Sequence, residues 1–175
     1  MYNQPGLPGP TKQHPLEEKK REIRYRRYDT AAELPEQERR LLKAALAATD
    51  RAYAPFSGFR VGAAALLADD SIHTANNQEN LAFPSGLCAE RTVLFHLGSQ
   101  GLAGQVRALA IRARSDHRLI ELPPTPCGAC RQVMVEYERL AGTPFVVLMQ
   151  GWQGSILRME GVEACLLPFG FDIRF

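Results

Sequence analysis

The sequence contains no run of about eighteen apolar residues, the length that a membrane-spanning helix requires. Its first ten residues are rich in proline and glycine and lack the apolar core of a secretion signal. Neither positive nor negative residues are in large excess. The formal net charge of +2 gives no reason to expect nucleic acid or an anionic membrane as a partner. We therefore expect a soluble, cytoplasmic protein.

Cysteine is scarce, and the four in the chain are Cys88, Cys127, Cys130 and Cys165. Thiols stay reduced inside cells, where a Cys-x-x-Cys pair such as Cys127 and Cys130 usually binds metal or does redox work. Metal binding is the preferred interpretation.

The chain is long enough to bury one sizeable core, so we expect one globular domain, residues 29–175, behind an N-terminal segment, residues 1–28. Residues 1–16 hold four prolines and two glycines with little that is apolar, which predicts an extended or disordered leader. Residues 17–27 are basic, but glutamates dilute the charge. Their alternation of apolar and basic residues favours a short added strand over a nucleic-acid-binding arm.

Apolar periodicity predicts that helices and strands alternate through the rest of the chain. The predicted elements are a helix from Pro35 to about residue 53, a hairpin of strands 59–67 and 72–75, a helix at 88–99, a strand at 106–112, a helix at 128–140 and a strand at 145–149. This order is typical of an α/β fold, with helices packed on the faces of a sheet.

Three cysteines lie where they can converge on one metal ion. Cys88 stands at the start of one predicted helix, and Cys127 and Cys130 stand at the start of another. The unpaired amides and positive dipole end of a helix N-terminus favour the thiolate. Three thiolates suit tetrahedral zinc with its fourth position open to water, so we expect one zinc ion per chain.

Glu90 follows Cys88 by two residues and is therefore close to the metal without being a ligand. A carboxylate there can take a proton from an attacking water molecule and then protonate a ring nitrogen and a leaving amine. An acid in the first turn of a helix is more often merely exposed and favoured by the helix dipole. The neighbouring ligand favours the catalytic interpretation, and Cys-x-Glu with Pro-Cys-x-x-Cys is the signature of zinc-dependent deaminases.

Four motifs, in family order and spacing, resemble those of the small homotetrameric cytidine deaminases over roughly residues 35–171. They are Phe59-Arg60-Val61-Gly62-Ala63-Ala64, Asn77-Gln78-Glu79-Asn80, Cys88-Ala89-Glu90-Arg91-Thr92 and Pro126-Cys127-Gly128-Ala129-Cys130-Arg131-Gln132. The resemblance implies a three-layer α/β/α sandwich with a mixed central sheet.

The resemblance also implies the substrate contacts. Asn77 and Glu79 match a pair that hydrogen-bonds the ribose 3′-hydroxyl and the base, and a carboxylate there repels phosphate, which favours a nucleoside over a nucleotide. Phe59 matches an aromatic residue that stacks on the base. The backbone N–H of Ala89, together with Glu90, matches the groups that hold the pyrimidine carbonyl and ring nitrogen.

Two further roles follow from the same resemblance. Arg91 matches an arginine that donates hydrogen bonds to the cysteine sulfurs and withdraws charge from them. Phe171 matches a residue that closes a neighbouring subunit's pocket, which implies a homotetramer.

The sequence therefore predicts zinc-dependent hydrolysis of cytidine and 2′-deoxycytidine to uridine and 2′-deoxyuridine with release of ammonia, as in pyrimidine salvage. Two alternatives remain open: deamination of a modified or antibiotic nucleoside of the blasticidin type, and a nucleic-acid-binding or editing protein that uses the basic N-terminal segment.

A closed structural zinc site completed by Cys165 is the remaining alternative for the cysteines. Such a site has no need of Glu90 or of Glu79, and we expect Cys165 to be a small buried thiol instead. His73 and His96 lie outside the motifs and are not assigned to the metal.

Overall fold

The computed structural model describes residues 17–172, and the leader predicted at residues 1–16 lies outside them. The helices and strands follow in the order β1 Tyr25–Tyr28, α1 Glu36–Ala48, β2 Phe59–Leu67, β3 Ile72–Asn76, α2 Ala89–Ser99, β4 Val106–Ser115, α3 Gly128–Ala141, β5 Val146–Gln150, β6 Ile156–Glu160 and α4 Val162–Cys165. None of the helices in this part of the chain has the length and apolar character needed to cross a membrane.

The strands form one six-stranded sheet in the order β1-β6-β5-β4-β2-β3. Strands β4 and β5 are parallel, and every other neighbouring pair is antiparallel, so the sheet is mixed as predicted. Strand β1 pairs with β6 at one edge, which confirms the short strand predicted from the alternation around Tyr25. The basic segment therefore contributes to the sheet.

Both faces of the sheet are covered. On β2, Ala63, Ala65 and Leu67 pack in the cluster that includes the buried side chains of α2 and α3. The intervening Ala64 and Leu66 pack with Leu41 and Leu42 of α1 on the opposite face. Burial on both sides explains the nearly unbroken apolar run of this strand, and it confirms the three-layer α/β/α sandwich.

Helix α1 crosses β2 at very close range. A Cβ atom at Gly62 would collide with the backbone oxygen of Ala45 and would lie 2.9 Å from the backbone nitrogen of Thr49. The glycine therefore allows α1 to rest directly on the strand, whose first residue, Phe59, faces the site described below.

Several predicted boundaries need correction. The first helix ends at Ala48 and continues only as a short 3-10 turn, Thr49–Arg51, rather than reaching about residue 53. Pro35 is the N-cap of α1 rather than its first helical residue, because its ψ of 151° is extended. Strand β4 runs three residues beyond the predicted Arg112, to Ser115, since its pairing with β2 continues to that point. The prediction omitted β6 and α4, whose short sequences carry little periodicity of their own.

The connections bring two helix N-termini together. Helix α2 links β3 to β4, and helix α3 links β4 to β5, and both pack on the same face of the sheet. Cys88 is the N-cap of α2 and Cys127 is the N-cap of α3. Residues far apart in sequence therefore meet at one end of the sheet.

Candidate metal centre and active site

The thiols of Cys88, Cys127 and Cys130 form one cluster in which all three sulfur atoms lie within 4.8 Å of one another. The Cys127 sulfur is 3.9 Å from that of Cys88 and 3.4 Å from that of Cys130. Sulfur ligands of tetrahedral zinc stand about 3.8 Å apart, given Zn–S distances of about 2.3 Å. The donor set and its spacing therefore fit zinc.

The electrostatics of the cluster favour thiolates. Hydrogen bonding with Cys130, together with hydrogen bonds from Arg91 and Cys127, lowers the pKa of the Cys88 thiol to about 5 in spite of partial burial. Its hydrogen bond with Cys88 and its burial raise the pKa of the Cys130 thiol, and the negative charges of Glu90 and Cys88 act in the same direction. The first thiolate is thus formed readily at neutral pH, and a cation at the centre favours ionisation of the others.

Cys165 does not join this cluster. Its sulfur lies 3.3 Å from the backbone oxygen of Glu160 and 3.4 Å from that of Arg24, at the far edge of the sheet. The closed four-cysteine site is therefore excluded. The expectation that Cys165 is buried was wrong, because it is half-exposed beneath the N-terminal segment.

Glu90 lies in the first turn of α2, and its residue is only 4% exposed. Burial raises the pKa of its carboxyl group to about 7, and the negative charge of Cys88 acts in the same direction. A carboxyl group with a pKa near the working pH can both accept and donate a proton. The interpretation of Glu90 as an exposed helix-end acid is therefore wrong.

A cavity of about 300 Å³ opens onto the cluster and Glu90. Six predicted residues line it: Phe59, Asn77, Glu79, Cys88, Glu90 and Cys127. Its other walls come from Ser57, Val61, Ile111, Pro124 and Thr125, which sequence reasoning did not single out. The volume suits a small organic molecule rather than a polymer.

Asn77 is held by the first residues of β2, and Glu79 is held by the turn that precedes this strand. Asn77 accepts the backbone N–H of Val61 at 2.8 Å and donates to the backbone oxygen of Phe59 at 2.9 Å. Glu79 accepts the backbone N–H groups of Phe56 and Ser57 at 2.9 and 3.3 Å, and it also accepts the Ser57 hydroxyl. Burial opposes ionisation of Glu79, but these hydrogen bonds outweigh it and lower its pKa.

The other residues predicted to contact the substrate differ in their position relative to the cavity. Phe59 borders the cavity and is half-buried, outside both core clusters. Ala89 is fully buried as the first residue of α2, where backbone N–H groups have no partner within the helix. Phe171 is 72% exposed and is not among the residues that line the cavity of its own chain.

Arg91 lies beside the thiols. Its Nη2 is 3.8 Å from the sulfur of Cys88, and its bonds to the sulfurs raise its pKa although burial opposes the charge. Its Nε is buried and has no hydrogen-bond partner among residues 17–172. The guanidinium is therefore directed at the negative cluster rather than at a carboxylate.

Two residues after the last cysteine also shape the site, although sequence reasoning only quoted them in a motif. Arg131 donates to the backbone oxygen of Pro126 at 2.7 Å and to that of Leu166 at 3.1 Å, which fixes the loop that carries Cys127. Gln132 exchanges two hydrogen bonds with the backbone of Phe171 and so holds the C-terminal segment against α3.

Comparison with known proteins gives a consistent result. The family model described as the cytidine and deoxycytidylate deaminase zinc-binding region matches residues 35–146. A cytidine deaminase of Halalkalibacterium halodurans is 40% identical over 131 residues, which are 75% of this chain and 91% of that protein. One of Sporosarcina psychrophila is 42% identical over 71% of this chain and 84% of its own length.

Solved structures agree with the sequence matches. The crystal structure of cytidine deaminase from Burkholderia pseudomallei superposes with a TM-score of 0.65 at 37% identity, over 75% of this chain and 97% of that one. The enzyme from Mycobacterium tuberculosis gives a TM-score of 0.58 at 33% identity, over 77% and 96% of the two chains.

Proposed function

The chain belongs to the cytidine and deoxycytidylate deaminase family, and from that premise we propose that it hydrolyses cytidine and 2′-deoxycytidine to uridine and 2′-deoxyuridine, releasing ammonia. One observation carries the proposal. The buried carboxyl group of Glu90 and a zinc-compatible cluster of three thiols border the same small cavity. A metal site that only stabilised the fold would need neither the carboxyl group nor the cavity.

Cys88, Cys127 and Cys130 would hold the zinc ion, which would supply the Lewis acidity needed to make water nucleophilic at neutral pH. Glu90 takes the proton that the attacking water loses. The same carboxyl group delivers that proton to the ring nitrogen. It then takes the second proton of the added water from the oxygen now bonded to the ring carbon and gives it to the amine as the carbon–nitrogen bond breaks, so one residue handles every proton transfer. Its pKa of about 7 supports both directions of transfer.

Asn77 and Glu79 would bind the sugar. Within residues 17–172, Asn77 has one N–H left after its bonds to the backbone, and Glu79 has one unused lone pair after its three hydrogen bonds. A single hydroxyl group can accept from the first and donate to the second. The negative charge of Glu79 disfavours a phosphate beside it, which supports a nucleoside as the substrate.

Phe59 and Ala89 would hold the base. The ring of Phe59 at the cavity wall offers a stacking surface, and the free N–H of Ala89 can donate to the pyrimidine carbonyl. Stacking accepts any flat ring, so the hydrogen bonds supply the discrimination between bases.

Replacement of Glu90 by glutamine tests this mechanism. The variant should keep one zinc ion per chain but lose roughly 10²–10⁴-fold in kcat, the usual contribution of general acid–base catalysis. Glu136→Gln, on the exposed side of α3, is the matched control and should behave as the unaltered protein. Near-normal turnover by the Glu90 variant would refute the mechanism.

Substrate class needs its own measurement. We expect kcat/KM for cytidine to exceed that for cytidine 5′-monophosphate by at least about 100-fold, because the binding pocket for the sugar carries a carboxylate. Equal rates would refute the assignment to nucleosides. If the protein turned over a modified nucleoside but not cytidine, the modified nucleoside would be its substrate.

We also propose that the active unit is a homotetramer, in which Phe171 of one subunit covers the cavity of another. Large apolar side chains are exposed between β3 and α2 and in the C-terminal segment: Leu81 is 80% exposed, Phe83 73%, Phe169 87% and Phe171 72%. Exposed apolar surface of this kind supports an interface between copies.

A subunit-mixing experiment tests the role of Phe171. Phe171→Ala and Glu90→Gln subunits should each be impaired alone, yet mixed tetramers should regain activity, because some cavities then combine an intact Glu90 with an intact Phe171 from the neighbour. Mass spectrometry verifies that the subunits have exchanged. If the mixture were then no more active than the average of its components, a cavity shared between subunits would be refuted.

The remaining assignments follow from these. We place the catalytic domain at residues 29–175 and the N-terminal segment at residues 1–28, the last four residues of which add strand β1 to the sheet of the domain. Three thiolates that must stay reduced support a cytoplasmic location. Production of uridine from a free nucleoside supports a role in pyrimidine salvage.

A further inference from the structure

Ser57 connects two walls of the cavity through one hydroxyl group. Its Oγ accepts the backbone N–H of Phe59 at 3.0 Å and donates to Oε1 of Glu79. A hydroxyl group has only one hydrogen. Because the Phe59 N–H occupies an acceptor site of Ser57, the hydrogen of that hydroxyl is directed at the carboxylate.

The backbone around Ser57 also binds the carboxylate of Glu79. The consecutive N–H groups of Phe56 and Ser57 converge on Oε2 of Glu79 and form a small anion-binding concavity. Gly58 makes the turn possible, because its φ of +62° is left-handed and a Cβ there would lie 2.5 Å from the ring of His117. The turn thus presents three donors to one carboxylate.

We propose that Ser57 is a positioning residue that sets which lone pair of Glu79 faces the substrate. Two backbone donors occupy Oε2 and the Ser57 hydroxyl occupies one site on Oε1, so a single acceptor site on Oε1 remains for a sugar hydroxyl. This inference rests on the proposed function, and it adds a determinant of sugar recognition that acts through Glu79.

Kinetics of Ser57→Ala test the proposal. KM for cytidine should rise about tenfold, as expected for the loss of one hydrogen bond to a charged group, with kcat within about threefold of the unaltered value. The preference for cytidine over 3′-deoxycytidine should fall by a similar factor. Ser57→Thr keeps the hydroxyl group and should restore both. Ser99→Ala, which removes a hydroxyl bonded to the backbone oxygen of His96, is the matched control.

The pH dependence gives a second test. Hydrogen bonds hold the pKa of Glu79 below its ordinary range, so removal of one should raise it. As the pH falls, KM of Ser57→Ala should therefore begin to rise at a higher pH than KM of the unaltered protein. An equal loss for cytidine and 3′-deoxycytidine, with no such displacement, would show that Ser57 only supports the loop.

A measurement without turnover separates this proposal from the function on which it rests. Carbon-13 NMR titration of the side-chain carboxyl groups should give Glu79 a higher pKa in Ser57→Ala than in the unaltered protein or in Ser99→Ala. If the unaltered protein did not deaminate cytidine but this shift were present, the function would fail, and only the positioning of Glu79 by Ser57 would stand. An unchanged pKa of Glu79 would overturn the role of Ser57 whatever the activity.

Discussion

The guanidinium group of Arg91 lies beside Cys88, the N-cap of the helix to which Arg91 belongs. Its Nη2 is 3.8 Å from the sulfur of Cys88. Three thiolates give a zinc centre a net negative charge, which weakens the ion as a Lewis acid. A cation that donates to the sulfurs withdraws part of that charge. We propose that the pair Arg91–Cys88 connects metal binding with the acidity of the attacking water.

Substitution of Arg91 should affect both zinc affinity and rate. We expect Arg91→Ala to lose roughly 10–100-fold in kcat or in zinc affinity, the usual effect of removing a hydrogen-bond partner of a metal ligand. Arg91→Lys keeps the charge but not the planar fork, so it should be intermediate. Turnover and chelator-competition titrations check this, and an alanine variant normal in both would contradict it.

Zinc should also stabilise the fold, because its ligands join the first turns of α2 and α3. Removal of the metal by a chelator should lower Tm by about 10 °C, given about 4 kcal/mol of binding stabilisation in a chain of this size. Added zinc should restore the original Tm. An identical melting curve before and after verified metal removal would show that the cluster does not tether the helices.

The carboxylate of Glu138 stabilises the fold, although its position within α3 gives no sign of this in the sequence. It is buried, and it accepts the backbone N–H groups of Phe145, Val162 and Glu163 at 3.2, 2.7 and 3.1 Å. Glu138→Ala should reduce the free energy of unfolding by roughly 2–4 kcal/mol, because buried donors lose a charged acceptor. Urea unfolding checks this, with the exposed Glu136→Ala as the control, expected to change stability by less than about 0.5 kcal/mol.

Gly62 offers a test of the packing beneath the site. Gly62→Ala should destabilise the protein by roughly 1–3 kcal/mol, because its Cβ would press against the backbone of α1. Gly128→Ala is the control, since a Cβ there has no atom within 4 Å and alanine favours a helix. Equal unfolding midpoints for the two variants would show that α1 can shift away from the strand.

The cluster of three cysteines was predictable because their spacing and helix-initial positions carry local information. Strand β6 was not, since its place in the sheet depends on long-range contacts such as the pairing of Arg158 with Glu38, 3.1 Å apart and 120 residues away in sequence. Pro35 was placed one position too far into α1, because proline suits both positions sterically.

Ser57 shows a second limit of the sequence. Nothing in the run Phe56-Ser57-Gly58 distinguishes a functional serine from an ordinary turn residue. Its role follows only when the turn at Gly58 brings it against Glu79, 22 residues later. The burial of Glu90, which raises its pKa, likewise depends on packing that no local pattern specifies.

Zinc-dependent deamination of cytidine can be measured on the purified protein. Ultraviolet change and ammonia release report the turnover, and a metal assay on the same sample reports the zinc content. We expect steady turnover with about one zinc ion per chain, abolished by chelation and restored by zinc. A protein that binds zinc but releases no ammonia from cytidine or 2′-deoxycytidine, or one that turns over with no bound metal, would contradict this expectation.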